Sequence, residues 1–389
     1  MKMSILVGAS LTMGAWACVP GGEGCDRPQS LCDATTSSGD PTTTASTSTT
    51  TSNSGDPTTT ASSATMSEVT TDADSSTTEP LVCGGTSLRI VTYNVKSVGF
   101  EDTEQWNALG TILARLAPDL ICFEEVGDDE TGPLRALTMA LGWPEPIQAE
   151  SSNLIGGELH NACLGPHPMS RIASYGNELS PDPNASDVAR DFLGVRLVHD
   201  GCAVNVIAVH AKSGQEDVDF FRRQVEFIRL GQAVDDVRAQ YGDDPIVVMG
   251  DFNENPEDPG IGTVFDGLPG GLPQSYELGD DIEFPLVYEP FETIAAAGVT
   301  MLDPTHEDSP RMGTWGVSAD FEGIRLDYVY LDGPLVEGAV VFDSCRDDGV
   351  DEPPQGQWLA MAGDPVACGV SELASDHLPI VVDLTLPAD

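Results

Sequence analysis

Apolar residues along this chain fall into short runs that stop abruptly on polar ones. Leu88-Arg89-Ile90-Val91-Thr92-Tyr93 reads as a strand ending at Asn94. Trp106, Leu109, Ile112, Leu113 and Leu116 then recur at helical spacing, and Pro118 closes that helix. Residues 119–126 form a second strand, dense enough in apolar residues to be covered on both faces. The same pattern predicts strands at 162–164, 192–198, 203–209, 246–249, 326–331, 339–342 and 380–386. The clearest long helix is expected over 220–241, with Val225, Phe227, Ile228, Leu230 and Val234 on its apolar side. Strands interleaved with helices over some three hundred residues indicate one α/β domain at 83–389. Pattern alone leaves open whether the strands make one sheet or two.

The first eighty residues follow a different rule. Lys2, an apolar stretch from Ile5 to Met13 and the small residues around Cys18 read as a signal peptide over 1–18, too short to serve as a membrane-spanning anchor. Ala15-Trp16-Ala17-Cys18 is similar to a bacterial lipobox, although Ala15 and bulky Trp16 depart from its usual residues. Lipidation of Cys18 or simple cleavage are the two outcomes, and membrane contact is expected only through that lipid. The expected address is the outer surface, a periplasm-facing membrane or the medium. Residues 19–82 are rich in Thr and Ser, and Ser-Gly-Asp-Pro-Thr-Thr-Thr-Ala-Ser occurs at 38–46 and again at 54–62. Such a segment cannot bury enough apolar surface to offset the entropy of ordering, so a disordered tether is expected.

Charge narrows the partners. The chain holds 63 acids against 17 bases, a formal net charge of −46. Most of that acidity lies beyond the tether, and it would repel a phosphate polymer at long range unless bound metal or a local basic strip offsets it. The nine cysteines fit an exported protein, since removing Cys18 leaves an even number. Cys25 with Cys32 and Cys345 with Cys368 are the sequence-local pairs, while Cys122, inside an apolar run, could equally be a buried free thiol. No Cys/His cluster has zinc spacing.

Candidate chemistry sits where the apolar runs end, the place from which loops present groups on a rigid scaffold. The clusters are Thr92-Tyr93-Asn94, Phe123-Glu124-Glu125-Val126, Val209-His210-Ala211-Lys212-Ser213, Gly250-Asp251-Phe252-Asn253, Arg325-Leu326-Asp327-Tyr328 and Ser375-Asp376-His377. In this order and spacing they resemble the blocks of the endonuclease/exonuclease/phosphatase family, over residues 87–386. The resemblance implies a four-layer α/β sandwich, two packed mixed sheets with helices outside, and a site where strand ends of both sheets meet. It implies Mg²⁺ (or Mn²⁺ or Ca²⁺) held by Glu125 with help from Asn94 and Asp376. His210, Asp251, Asn253, Asp327 and His377 would be the catalytic set. Asp327 would fix and charge His377, both imidazoles would face the phosphate, and Asp251 or the Asp327–His377 pair would act on the water. Lys212, Arg222 and Arg223 are candidate phosphate contacts in an otherwise acidic chain.

The chain departs from the family pattern at three places. Lys96 stands where some members carry a carboxylate, Leu164-Gly165-Pro166-His167-Pro168 lacks an arginine for which His167 could partly substitute, and Glu124 replaces the usual Gln. There is no Gly-rich phosphate cradle and no Gly-x-Ser-x-Gly elbow, which argues against nucleoside-triphosphate use and serine-hydrolase chemistry. The expected activity is a metal-dependent phosphodiester hydrolase, acting as a monomer on extracellular DNA or RNA. A phospholipid headgroup is the alternative substrate, for which Phe284-Pro285-Leu286-Val287-Tyr288 and Phe291 offer the apolar segment able to enter a membrane. A non-catalytic binding module on the same fold is the reading of a different class.

Overall fold

The computed structural model describes residues 85–127, 130–150, 159–306, 310–317, 322–347 and 359–386, all within the compact unit Ser75–Asp389. The signal segment, the tether, Cys18, Cys25 and Cys32 lie outside the described residues. In chain order the elements are β1 (Ser87–Asn94), α1 (Glu104–Leu116), β2 (Leu120–Gly127), α2 (Thr131–Leu141), β3 (Ile147–Gln148), β4 (Leu159–Leu164) and β5 (Met169–Tyr175). There follow β6 (Phe192–His199), β7 (Cys202–His210), α3 (Asp217–Tyr241), β8 (Ile246–Asp251), β9 (Val264–Phe265), β10 (Leu286–Val287) and α4 (Pro290–Ala296). The last are β11 (Thr300–Met301), β12 (Thr305–His306), β13 (Asp327–Asp332), β14 (Leu335–Val341), α5 (Val370–Ala374) and β15 (Ile380–Thr385).

The larger strands build two mixed sheets, a 7-stranded one in the order β12-β14-β15-β1-β2-β4-β3 and a 6-stranded one in the order β11-β13-β8-β7-β6-β5. Strand alternation decides what each face does. Leu88 and Ile90 of β1, Val206 and Ala208 of β7, Val247 and Met249 of β8, and Val329 and Leu331 of β13 share one core between the sheets. Their neighbours Val91 and Tyr93 face outward and pack with Leu109, Ile112 and Leu113 of α1. On the other side, Ile207, Val209 and Val248 meet Phe227, Leu230 and Val234 of α3. Helix, sheet, sheet and helix make the four expected layers. Among the described residues no helix is long and apolar enough to cross a membrane.

The predicted strands and the long helix all occur, with ends moved by a few residues. α3 begins at Asp217, because Glu216 and Asp219 close a reciprocal capping box there. Two substantial elements were not anticipated. α2 starts Thr131-Gly132-Pro133, which reads as a turn, yet proline is tolerated in a helix's first turn and Leu134 and Leu137 bury its face. β5 carries polar residues on its exposed side and is held by pairing with β6. Cys345 and Cys368 are bonded as expected. Cys122 is not a free thiol: it lies directly opposite Cys163 in the β2–β4 ladder and is bonded to it. Cys202 is disulfide-bonded as well.

Candidate active site

The residues that end the inter-sheet alternation stand at the rim of the dry core. Continuing Leu88, Ile90 and Thr92 by two residues gives Asn94; continuing Val206 and Ala208 gives His210; continuing Val247 and Met249 gives Asp251. Asp327 opens β13 on the same face. Register levels them, since His210 pairs with Asp251 and Asp251 pairs with Asp327 across adjacent strands. Glu125 would face the helices in a regular strand. A break in the β2–β4 register between Phe123 and Val126 and a left-handed backbone at Glu125 (φ 61°) turn it toward the others. Asn253, at φ 50°, turns back in the same way.

Gly250 lets β8 reach this position. Its φ is 145°, and a Cβ there would sit 1.9 Å from the carbonyl oxygen of Val209 on β7. His377 comes from the loop before β15. The Ser375 hydroxyl donates to Asn94 O at 2.6 Å and accepts from His377 N at 3.1 Å, and Leu378 N donates to Thr314 O at 2.7 Å. Thr314 Oγ1 in turn accepts from the amides of Leu326 and Asp327. The loop that carries His377 is thus tied to the entry of β13.

Around Asp251 the contacts are close. Asn94 Nδ2 donates to Asp251 Oδ2 at 2.9 Å and to Glu125 Oε1 at 3.2 Å. Asn253 N donates to Asp251 Oδ1 at 2.8 Å, and Asn253 Nδ2 donates to Ala211 O at 3.0 Å. His210 Nε2 lies 3.6 Å from Glu125 Oε1 and 3.8 Å from Asp251 Oδ2. His377 Nδ1 bonds Asp327 Oδ2 at 2.8 Å, leaving Nε2 at 4.0 Å from Asp251 Oδ2. The centre opens into a cavity of about 630 Å³ whose wall includes Lys96, Glu125, Asn253, Trp315, Asp376 and His377.

Environment divides the two imidazoles. Burial, and then the charges of Arg190 and His377, hold His210 well below the usual histidine value, so it is neutral. Burial also works against a charge on His377, but the Asp327 carboxylate and its hydrogen bond outweigh it and raise the pKa to about 9. Burial raises Asp251 against the pull of His377. Glu124 is fully buried and accepts from Thr92 Oγ1 at 2.9 Å; burial, with Asp327 close by, raises its pKa far above the carboxylate range.

One oxygen each of Glu125 and Asp251 and one nitrogen of His210 converge within 4.8 Å, a donor set that suits a divalent ion. Both ring nitrogens of His210 are buried without a hydrogen-bond partner among the described residues, which an ion or a phosphate oxygen would satisfy. The expected ligands Asn94 and Asp376 are placed otherwise. Asn94 aims its amide N–H groups at both carboxylates and accepts at Oδ1 from Lys96 N at 2.9 Å, which makes it a brace. Asp376 Oδ2 is bound by Lys96 Nζ at 2.8 Å and belongs to neither converging group.

The three expected phosphate contacts do not line the cavity. Lys212 pairs with Asp219 at 2.8 Å. Arg223 is fully buried against Glu254 at 2.9 Å and braces the backbone at Lys212 O and Gly214 O. Arg222 is buried over the ring of Tyr276. His167 bonds Asp119, before the start of β2, at the far end of that strand from Glu125. Sequence reasoning missed Arg190, whose Nη1 donates to Ala211 O at 3.0 Å. A single arginine before a strand carries no signal of its own. It also missed Trp315 and Thr314, known only through the backbone bridge from Trp315 to His377 and the Thr314 bonds to β13.

Comparison with other proteins gives the family. No curated relative matches the chain in sequence. Among solved structures, ANGEL2, a 2′,3′-cyclic phosphatase in complex with adenosine-2′,3′-vanadate, is 14% identical, with 78% of this chain and 97% of that one covered at a TM-score of 0.50. Truncated TDP2 of Caenorhabditis elegans is 15% identical over 77% of this chain and 98% of its own, with a TM-score of 0.47. An endonuclease/exonuclease/phosphatase of Bacteroides vulgatus is 14% identical over 78% and 100%, with a TM-score of 0.48. The model of one family matches residues 91–377, a span that runs from β1 to His377. By that match the chain belongs to the Endonuclease/Exonuclease/phosphatase family of phosphoester hydrolases.

Proposed function

We propose that the protein is an exported, metal-dependent phosphodiesterase that acts on extracellular DNA or RNA. The observation that carries this reading is the meeting of Glu125 from one sheet with His210, Asp251 and Asp327 from the other and His377 from the loop before β15, around the His210 imidazole, which has no hydrogen-bond partner among the described residues. A divalent ion held by Glu125 and Asp251, with His210 beside it, would neutralise charge on the phosphate oxygens. The protein's own groups supply the rest. His377 Nε2–H, kept protonated by Asp327, donates to a phosphoryl oxygen. Asp251 Oδ2, held by Asn94, takes a proton from the attacking water as its oxygen bonds to phosphorus and the ester oxygen leaves. Asn253 fixes the other oxygen of Asp251.

Nucleic acid is favoured over a lipid headgroup by the fate of the apolar segment at 284–288. Phe284, 37% exposed, stacks on Phe221 at 6.1 Å, and Leu286 and Tyr288 are buried, so most of the segment's apolar surface is used in packing. The cellular address rests on the N-terminal sequence, the lipobox-like Cys18 and the tether.

The test is to incubate the full-length protein with plasmid DNA, RNA, sphingomyelin and bis-p-nitrophenyl phosphate, with Mg²⁺ or with chelator. Chelator-sensitive cleavage of nucleic acid is expected, and His377→Ala should lower it by about 10²–10⁴-fold. Absence of chelator-sensitive turnover on every substrate would refute the enzyme reading. Cleavage of the lipid alone would replace nucleic acid as the substrate.

A further inference from the structure

Arg222, near the start of α3, is 5% exposed, yet its Nε and Nη2 have no hydrogen-bond partner among the described residues. Its guanidinium lies 5.7 Å from the centre of the Tyr276 ring, and the Tyr276 hydroxyl is likewise buried and without a partner. Arg190 completes the group: Nη1 is bonded to Ala211 O, next to His210, while its buried Nε has no partner among the described residues. Glu226 is the carboxylate that acts on both Arg190 and Arg222, and its oxygens also accept from Ala189 N at 2.9 Å and Lys212 N at 2.6 Å. Arg229, further along the same helix, shows the contrast, with all three of its nitrogens bonded to Asp187, Asp281 and Gln232. Two guanidinium groups with idle buried N–H donors share the nearby Glu226 carboxylate, which leaves the site short of one anion.

We infer that Arg190, Arg222 and the Tyr276 hydroxyl form an oxyanion subsite beside His210, which receives a second phosphate carried by the substrate next to the scissile one. The forked N–H groups of arginine suit a phosphate better than a single carboxylate oxygen, and the hydroxyl adds a neutral donor. The substrate class is then a phosphodiester with a neighbouring phosphate, a di- or polynucleotide rather than an isolated diester. In naming a substrate this rests on the phosphodiesterase reading; the anion subsite itself does not.

The full-length protein in chelator is titrated with inorganic phosphate, against chloride at equal ionic strength, and followed by thermal unfolding and calorimetry. Phosphate should raise the wild-type Tm and chloride should not. Arg222→Met should lose the response to phosphate. Tyr276→Phe, which keeps the packing, should weaken phosphate binding severalfold, whereas His377→Ala should leave it in place. No phosphate response in the wild type, or an unchanged response in both Arg222→Met and Tyr276→Phe, overturns the subsite. With Mg²⁺, the wild type should cleave the 5′-phosphorylated dinucleotide pdTdT with a KM about fivefold or more below that for dTdT, a gap that Arg222→Met closes. Equal KM values in a wild type that does bind phosphate would give the site to free phosphate and overturn the second-phosphate assignment. Failure to cleave either dinucleotide would refute the phosphodiesterase reading, and the phosphate titration alone would then judge the subsite.

Discussion

His377 keeps its proton at neutral pH because Asp327 lies 2.8 Å from Nδ1. The folded value, about 9, stands above the ~6.5 of an unperturbed histidine. The pair therefore stabilises the fold fully below ~6.5 and loses that contribution as pH rises through 9. In Asp327→Asn burial is opposed only by the charges of Asp251 and Asp376, so the His377 pKa should fall from about 9 and the loss of Tm between pH 6.5 and 9 should flatten. NMR titration of the metal-free protein checks this, and an unshifted His377 would show that Asp327 is not the cause. The individual letters of the site were legible because each closes an apolar run, as Asn94, His210 and Asp251 do. Their partners were not. Whether Lys96 would meet Asp376, or Arg223 meet Glu254, depends on contacts between elements distant in sequence, and charge alone made Arg223 resemble a phosphate ligand.

At the level of elements, the strand ends are where regular structure is bent to serve the site. Gly250→Ala would drive a Cβ into Val209 O at a φ that alanine rarely adopts. It should cost roughly 3 kcal/mol or more and displace Asp251, lowering activity along with Tm; a variant with wild-type Tm and rate would show that β8 tolerates the shift. A helix-to-loop anchor gives a second test. Arg229 is fully buried and holds Asp187 and Asp281 to α3. Its hydrogen bond to Asp281 lowers that carboxyl to about 2. A depressed carboxyl stabilises the fold above its unfolded value, ~3.9, and that stability is lost as pH falls toward 2. Arg229→Met should destabilise by about 3–5 kcal/mol at neutral pH, since the buried acid Asp187 loses its partner. It should also remove most of the Asp281 contribution to acid unfolding, measurable as a shallower fall of Tm below pH 4. Periodicity revealed β1, β2, β7, β8 and α3 because each buries a whole face. It could not reveal α2, which opens on Gly132-Pro133, or β5, whose exposed residues are polar.

For the whole molecule, pairing between distant segments was beyond reach of the sequence. β1 is flanked by β15, almost three hundred residues away, so the division into two sheets and their order had to come from the structure or from the family resemblance. The formal charge of −46 was readable at once, and its consequence is kinetic. Encounter with DNA or RNA should speed up as added salt rises to about 0.1–0.2 M, because like-charge repulsion is screened over a Debye length of roughly 8–10 Å. Stopped-flow association at increasing salt measures it, and a steep monotonic decline would point instead to a basic contact strip. One mechanical consequence follows from where Glu125 stands. It belongs to the 7-stranded sheet, while His210 and Asp251 belong to the 6-stranded one. An ion gripped by all three would act as a rivet through the sandwich, resisting slippage of one sheet past the other. Loading Mn²⁺ should then slow unfolding even in a catalytically dead His377→Ala protein, and Glu125→Gln should abolish that reinforcement.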